Sequence, residues 1–158
     1  MIRDGYPILG VIHVPVSGVT YYANQGSGAF KHEPGGEPAP IHVRPWDGGK
    51  LVVAGSRSHR SERFDRFLAK VGEHEIVSMG SSLKSCLVAE GQADIYARLG
   101  PTSEWDTAAA QCIVEEAGGQ LLDTALNRLR YNTKDSLINP HFIVCGDERH
   151  DWGRYLPD

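Results

Sequence analysis

Three observations predict an α/β fold for this chain. Short apolar, β-branched runs alternate between residues 51 and 144 with segments whose apolar residues recur at helical spacing. Residues 6–31 read as strands joined by tight turns, and glycines stand where strands and helices should stop.

The elements follow in order. Residues 8–14 are apolar and β-branched, residues 19–23 are rich in strand formers, and Gly26-Ser27-Gly28 turns the chain into Ala29-Phe30, so the front reads as a β-meander. Pro15 and Gly18 punctuate its first turn. Pro34, Gly35, Gly36, Pro38, Pro40, Pro45, Gly48 and Gly49 make residues 33–50 a predicted surface loop, with a short strand at Ile41-His42-Val43. A strand is expected at 51–54, followed by a helix over 62–70 with Phe64, Phe67 and Leu68 on one face and Ser61 as N-cap. A strand at 75–77 leads to a helix over 82–90, where Leu83, Cys86 and Leu87 share a face, Ser81 or Ser82 is the cap, and Gly91 is the stop. Residues 93–98 form a strand and 105–117 a helix ended by Gly118-Gly119; strands at 120–123 and 142–144 close the pattern. The chain divides into a meander and loop (1–50), an α/β unit (51–146) and a tail (147–158), in which Trp152 and Tyr155 have no assigned role.

Composition narrows the function. The chain has 41% hydrophobic and 23% charged residues, the profile of an ordinary globular protein. A net charge of -4 argues against a nucleic-acid coat, which wants a basic stripe. A small anionic ligand stays compatible, because a few local cations can dominate one pocket. The apolar stretch at 7–14 falls short of the ~20 residues of a membrane helix. No signal peptide is read, and Cys86, Cys112 and Cys145, odd in number and widely spaced, suit buried reduced thiols, so a cytoplasmic protein is expected.

Four segments carry candidate chemistry. Ser103-Glu104-Trp105-Asp106 opens a helix and fits a capping box, yet a carboxylate there is also a hard oxygen ligand suited to magnesium. Lys84 stands in the first turn of its helix, against the dipole, which points to an anion for it to meet beside Ser81. Arg98 ends a strand just before the Asp106 loop, either as a solvated surface residue or as a planar fork for phosphate or a face for a purine. Ser56-Arg57-Ser58-His59 follows a strand in a turn able to offer N–H groups to an anion. The remaining histidines show no ligand spacing.

The run from Gly100 through Trp105-Asp106-Thr107-Ala108-Ala109 to Glu116-Ala117-Gly118-Gly119 resembles the second signature of the magnesium-dependent, lithium-sensitive phosphatases of the inositol monophosphatase superfamily. Its surroundings resemble the 3'(2'),5'-bisphosphate nucleotidase branch. The resemblance implies the C-terminal part of a layered αβαβα sugar-phosphatase fold, with residues 1–50 as a meander remnant of the N-terminal domain. It implies Mg²⁺ as cofactor with Asp106 as a ligand, and Asp106, Lys84, Arg98, Ser81, Ser56 and His59 as contacts to a nucleotide bisphosphate. Inositol-specific relatives carry a neutral residue near the Lys84 position and a Glu at the Arg98 position. The implied reaction is hydrolysis of adenosine 3',5'-bisphosphate to AMP and phosphate, clearing a by-product of sulfate assimilation.

The resemblance is incomplete. The family's first signature, an aspartate pair leading into Gly-Thr, and its water-activating glutamate find no match; Asp4-Gly5 and Asp47-Gly48 lack the following Thr, and Glu115-Glu116 lies inside a helix. The expectation is therefore a truncated form with negligible phosphatase activity alone. The alternatives are a non-catalytic fragment, a half-enzyme completed by an N-terminal fragment or a second copy on the meander's edge, and an inositol monophosphatase-like half, against which Lys84 and Arg98 weigh.

Overall fold

The computed structural model describes residues 1–55 and 61–157. The chain opens on a small ladder of β1 (Ile2–Arg3) and β2 (Tyr6–Pro7), closed by Asp4 and Gly5, whose φ angles of 53° and 82° supply the left-handed pair such a tight hairpin needs. The meander follows as β3 (Leu9–His13), β4 (Thr20–Asn24), β5 (Ala29–His32) and β6 (Ala39–Ile41), antiparallel in that order. Its alternation is plain in β4. Tyr21 and Ala23 are buried, while Tyr22 turns to the other face and stacks on Phe30 of β5 at 5.5 Å.

The fourth meander strand lies two residues earlier than the sequence predicts. Ala39–Ile41 pairs with β5, and Pro40, lacking an N–H, is tolerated because β6 is an edge strand. Residues 42–44 leave the sheet for other partners: the Val43 N–H donates to the Ala117 carbonyl, and Arg44 reaches Asp94. The predicted surface loop is thus exposed at 33–40 but anchored beyond.

The larger sheet is mixed, in the order β10-β11-β9-β7-β8: β7 (Leu51–Gly55), β8 (His74–Ser78), β9 (Ile95–Arg98), β10 (Gln120–Asp123) and β11 (Phe142–Cys145). β7 runs parallel to β8 and β9, with α1 (Glu62–Val71) and α2 (Leu83–Ala89) as crossovers, and α3 (Glu104–Glu116) leads to the antiparallel pair β10 and β11. Ser61 caps α1 as expected, its Oγ accepting from the Phe64 N–H at 3.2 Å.

Period-two alternation distributes this sheet between two cores. Val53, Ile95, Ala97, Ile143 and Cys145 face α1, where Phe64, Phe67 and Leu68 meet them. Ala54, Tyr96, Phe142 and Val144 face α2 and α3. The opposite side of those helices packs on Tyr21, Ala23, Ala29 and Ile41 of the meander, in one continuous core. The layers therefore run meander, α2 with α3, mixed sheet, and α1. Beside α1 lies a 3-10 turn, Trp152–Tyr155. Trp152 and Tyr155 are buried there, and the indole N–H donates to the Asp147 carbonyl at 2.6 Å.

Two contacts seat the meander on α3. A Cβ on Gly10 would lie 2.3 Å from the Ala109 carbonyl oxygen, so β3 touches the helix backbone directly. We expect Gly10→Ala to cost ~2–3 kcal/mol, read as a lower urea midpoint at unchanged slope. The second contact is Glu116, whose carboxylate accepts from the N–H groups of Gly26 and Gly28 at 3.0 Å and ties down the β4–β5 turn. Glu115 is likewise engaged, gripped by the Arg128 guanidinium through two bonds of 2.6 Å. These carboxylates are structural.

Candidate functional site

The crossover order brings three chain segments to one place: the turn from β8 into α2, the C-terminal end of β9, and the loop that enters α3. They enclose a cavity of about 590 Å³, lined by Ser81, Lys84, Tyr96, Arg98, Thr102 and Asp106 among others. Clefts beyond the carboxyl ends of parallel strands are the usual ligand position in such folds.

Lys84 is the anomaly. Only 7% of it is exposed, and its ammonium donates to the Met79 carbonyl at 3.2 Å and lies 5.2 Å from the centre of the Tyr96 ring. Among the described residues it has no carboxylate partner. Burial, and then the neighbouring Arg98 charge, push its pKa below the ordinary lysine range. Arg98 is also under-satisfied: its Nη2 donates to the Pro101 carbonyl at 3.1 Å, but its buried Nε has no hydrogen-bond partner among the described residues. Two under-partnered cations side by side form an anion site.

Ser81 holds a left-handed backbone, φ 50°, in the turn before α2, a strained position for a residue with a side chain. The capping role expected of Ser81 or Ser82 is not found. Ser82 is the N-cap residue, but its side chain makes no cap hydrogen bond, because its own backbone is already helical where a capping residue is extended.

Asp106 lies exposed at the cavity's edge. Its Oδ2 accepts from the Ser103 N–H at 2.8 Å, as the capping pattern predicts, and its charge reaches Tyr96, whose pKa is raised chiefly by burial. Oδ1 has no partner among the described residues and is a hard donor suited to magnesium. One oxygen fits one position of a coordination shell and not a whole site. Among the described residues no three His, Cys, Asp or Glu side chains gather to hold an ion. Ser56 and His59 lie outside the described residues.

The entry to α3 is braced by residues that no local pattern marks. Asn139 Nδ2 lies within 3.1 Å of Thr102 Oγ1, the Ser103 carbonyl and Thr107 Oγ1. Glu104, buried, accepts from Lys134 Nζ at 2.9 Å and the Asn132 N–H at 2.8 Å; burial pushes its pKa up, but those donors overcome it and hold the carboxyl below its ordinary value. Tyr96 could have been found from strand alternation, since it shares a face of β9 with Arg98.

Comparisons with known proteins show what the chain is similar to. Residues 1–151 match the inositol monophosphatase family. The 3'(2'),5'-bisphosphate nucleotidase CysQ of Salmonella typhimurium is 46% identical over 144 residues, covering 91% of this chain and 57% of the relative. The enzyme of the same name from Aggregatibacter actinomycetemcomitans is 40% identical over 156 residues, covering 98% and 58%. Among solved structures, CysQ from Bacteroides thetaiotaomicron superposes with a TM-score of 0.83 at 35% identity, over 93% of this chain and 60% of that one. An inositol monophosphatase from Zymomonas mobilis shares the fold, with a TM-score of 0.76 at 22% identity, over 94% and 56%. The chain thus spans less than two thirds of the length of these relatives.

Proposed function

The chain belongs to the inositol monophosphatase family, and from that premise we propose that it carries the substrate-gripping half of a Mg²⁺-dependent 3'(2'),5'-bisphosphate nucleotidase. Lys84 and Arg98 hold phosphate, Ser81 lines the same cavity, and Asp106 lends one oxygen to the metal. Ser56 and His59 belong to the proposed nucleotide contacts through the resemblance alone. The observation that carries this reading is the pair of under-partnered cations, one buried ammonium and one buried guanidinium N–H, facing the cavity that Asp106 borders. An inositol phosphate needs hydroxyl-binding groups and gives a second cation little to do. A doubly phosphorylated nucleotide engages both.

The substrate is adenosine 3',5'-bisphosphate, with a cytoplasmic role in sulfur metabolism. On this reading the 158 residues alone release negligible phosphate, since a single carboxylate does not hold magnesium in the geometry hydrolysis requires. Phosphate release from adenosine 3',5'-bisphosphate and Mg²⁺ tests this. We expect background rates from the chain alone. Turnover by these residues unaided contradicts it, and turnover only on inositol phosphates contradicts the substrate.

A second reading, a half-enzyme completed by another polypeptide, is favoured by the meander's edge. β3 has no strand partner on its outer side among the described residues, and Leu9 and Val11 are exposed along it. Adding the part of a full-length relative that lies outside the match, and finding phosphate release restored, would support it. No gain on addition would count against it.

A further inference from the structure

Reading the cavity as an anion site leaves a question of electrostatics: what keeps two like charges together before a ligand arrives. Lys84 and Arg98 repel each other, and no carboxylate among the described residues pairs with either. Tyr96 lines the same cavity as both. It occupies β9 two residues before Arg98, on the same face of the strand, and is buried. Phe142 of the neighbouring strand β11 meets its ring edge-on, with centroids 5.9 Å apart at 90°, which fixes the ring plane. The Lys84 ammonium sits over that ring.

We propose that Tyr96 is a positioning residue of this site, whose electron-rich ring face holds the Lys84 ammonium beside Arg98 so that both cations are in place for one anionic ligand. The attraction between an ammonium and the negative face of an aromatic ring grows as the pair loses water, and Lys84 is nearly dry. A ring serving only to fill the core would be indifferent to the charge distribution over its face. This separates the two roles.

The test alters that charge distribution while keeping the shape. In the 158-residue chain, position 96 is occupied in turn by Tyr, by Phe (Tyr96→Phe), and by progressively ring-fluorinated phenylalanines, which retain the packing while emptying the ring face of electron density. Two quantities are followed: the titration of the Lys84 ammonium by NMR in the free protein, and calorimetric affinity for adenosine 3',5'-bisphosphate. Among the described residues, Arg98 on β9 and Asp106 on α3 are the other charges near this ring, and they are the same throughout the series. We expect Tyr96→Phe to stay within about twofold of the native affinity, and the fully fluorinated ring to lose roughly 5- to 30-fold, with the Lys84 titration moving to lower pH. A flat series in both quantities overturns the proposal. Lys84→Met separates it from the reading it rests on. If that variant binds the nucleotide as the native chain does, the anion site falls, whatever the ring does to the Lys84 titration.

Discussion

Arg44→Met is expected to lower the melting temperature by about 10 °C, the largest stability effect we foresee for one substitution. Asp94 is the reason. Its carboxylate is 1% exposed and accepts three hydrogen bonds of 2.7 Å, from Arg44 Nε, Arg44 Nη2 and the Val52 N–H. Its backbone joins Val52 and Gly146, so the residue stitches together β7, the start of β9 and the end of β11. Removing the guanidinium leaves a buried charge with one backbone partner, a loss of ~3–5 kcal/mol. For a domain of this size each kcal/mol moves the midpoint by about 2–4 °C. The double variant Arg44→Met with Asp94→Leu should recover most of the loss, because it leaves no orphaned charge behind. A single variant as stable as the native chain would show that the pair is not the anchor described.

Lys84→Met should do two opposite things. Affinity for adenosine 3',5'-bisphosphate should fall by roughly 30- to 100-fold, the cost of truncating one partner of a desolvated charge-assisted contact. Stability without ligand should rise, because the native fold holds this ammonium dry and beside Arg98. The sign follows from the lowered pKa. Between the folded value and the ordinary one near 10.5, the unfolded chain binds more protons, so native stability climbs with pH in that window. The Met variant lacks that climb. Urea titrations of both proteins at several alkaline pH values check it. A lysine present only for structure would lose stability and leave affinity alone. That trade of stability for binding is what a functional site shows.

The contrast between these two residues explains what was legible in the sequence. Lys84 was visible because it breaks a local rule, a cation at a helix start, and Asp106 because it sits in a recognisable helix-opening pattern. The elements from residue 51 onward were readable because a period of two or 3.6 survives in sequences buried on one face. Arg44 was hidden in a stretch whose Gly and Pro content reads as loop, and its partner lies 50 residues away. The same holds for Asn139, which reaches the α3 entry from 36 residues downstream, and for Trp152, which packs against α1 from the far end of the chain. Tertiary pairing of this kind leaves no periodic trace. β6 shifted because hydrogen bonds from Val43 and Arg44 to distant partners outweighed the β propensity of residues 42–43.

The central claim is that the cavity between α2, β9 and α3 receives a phosphorylated nucleotide through Lys84 and Arg98. A crystal structure of the chain with adenosine 3',5'-bisphosphate tests it most directly. The account predicts a phosphate oxygen within hydrogen-bond distance of Lys84 Nζ and another group of the nucleotide on Arg98 Nε, giving that N–H its missing partner. A nucleotide ordered elsewhere on the molecule, with both cations untouched, would contradict it.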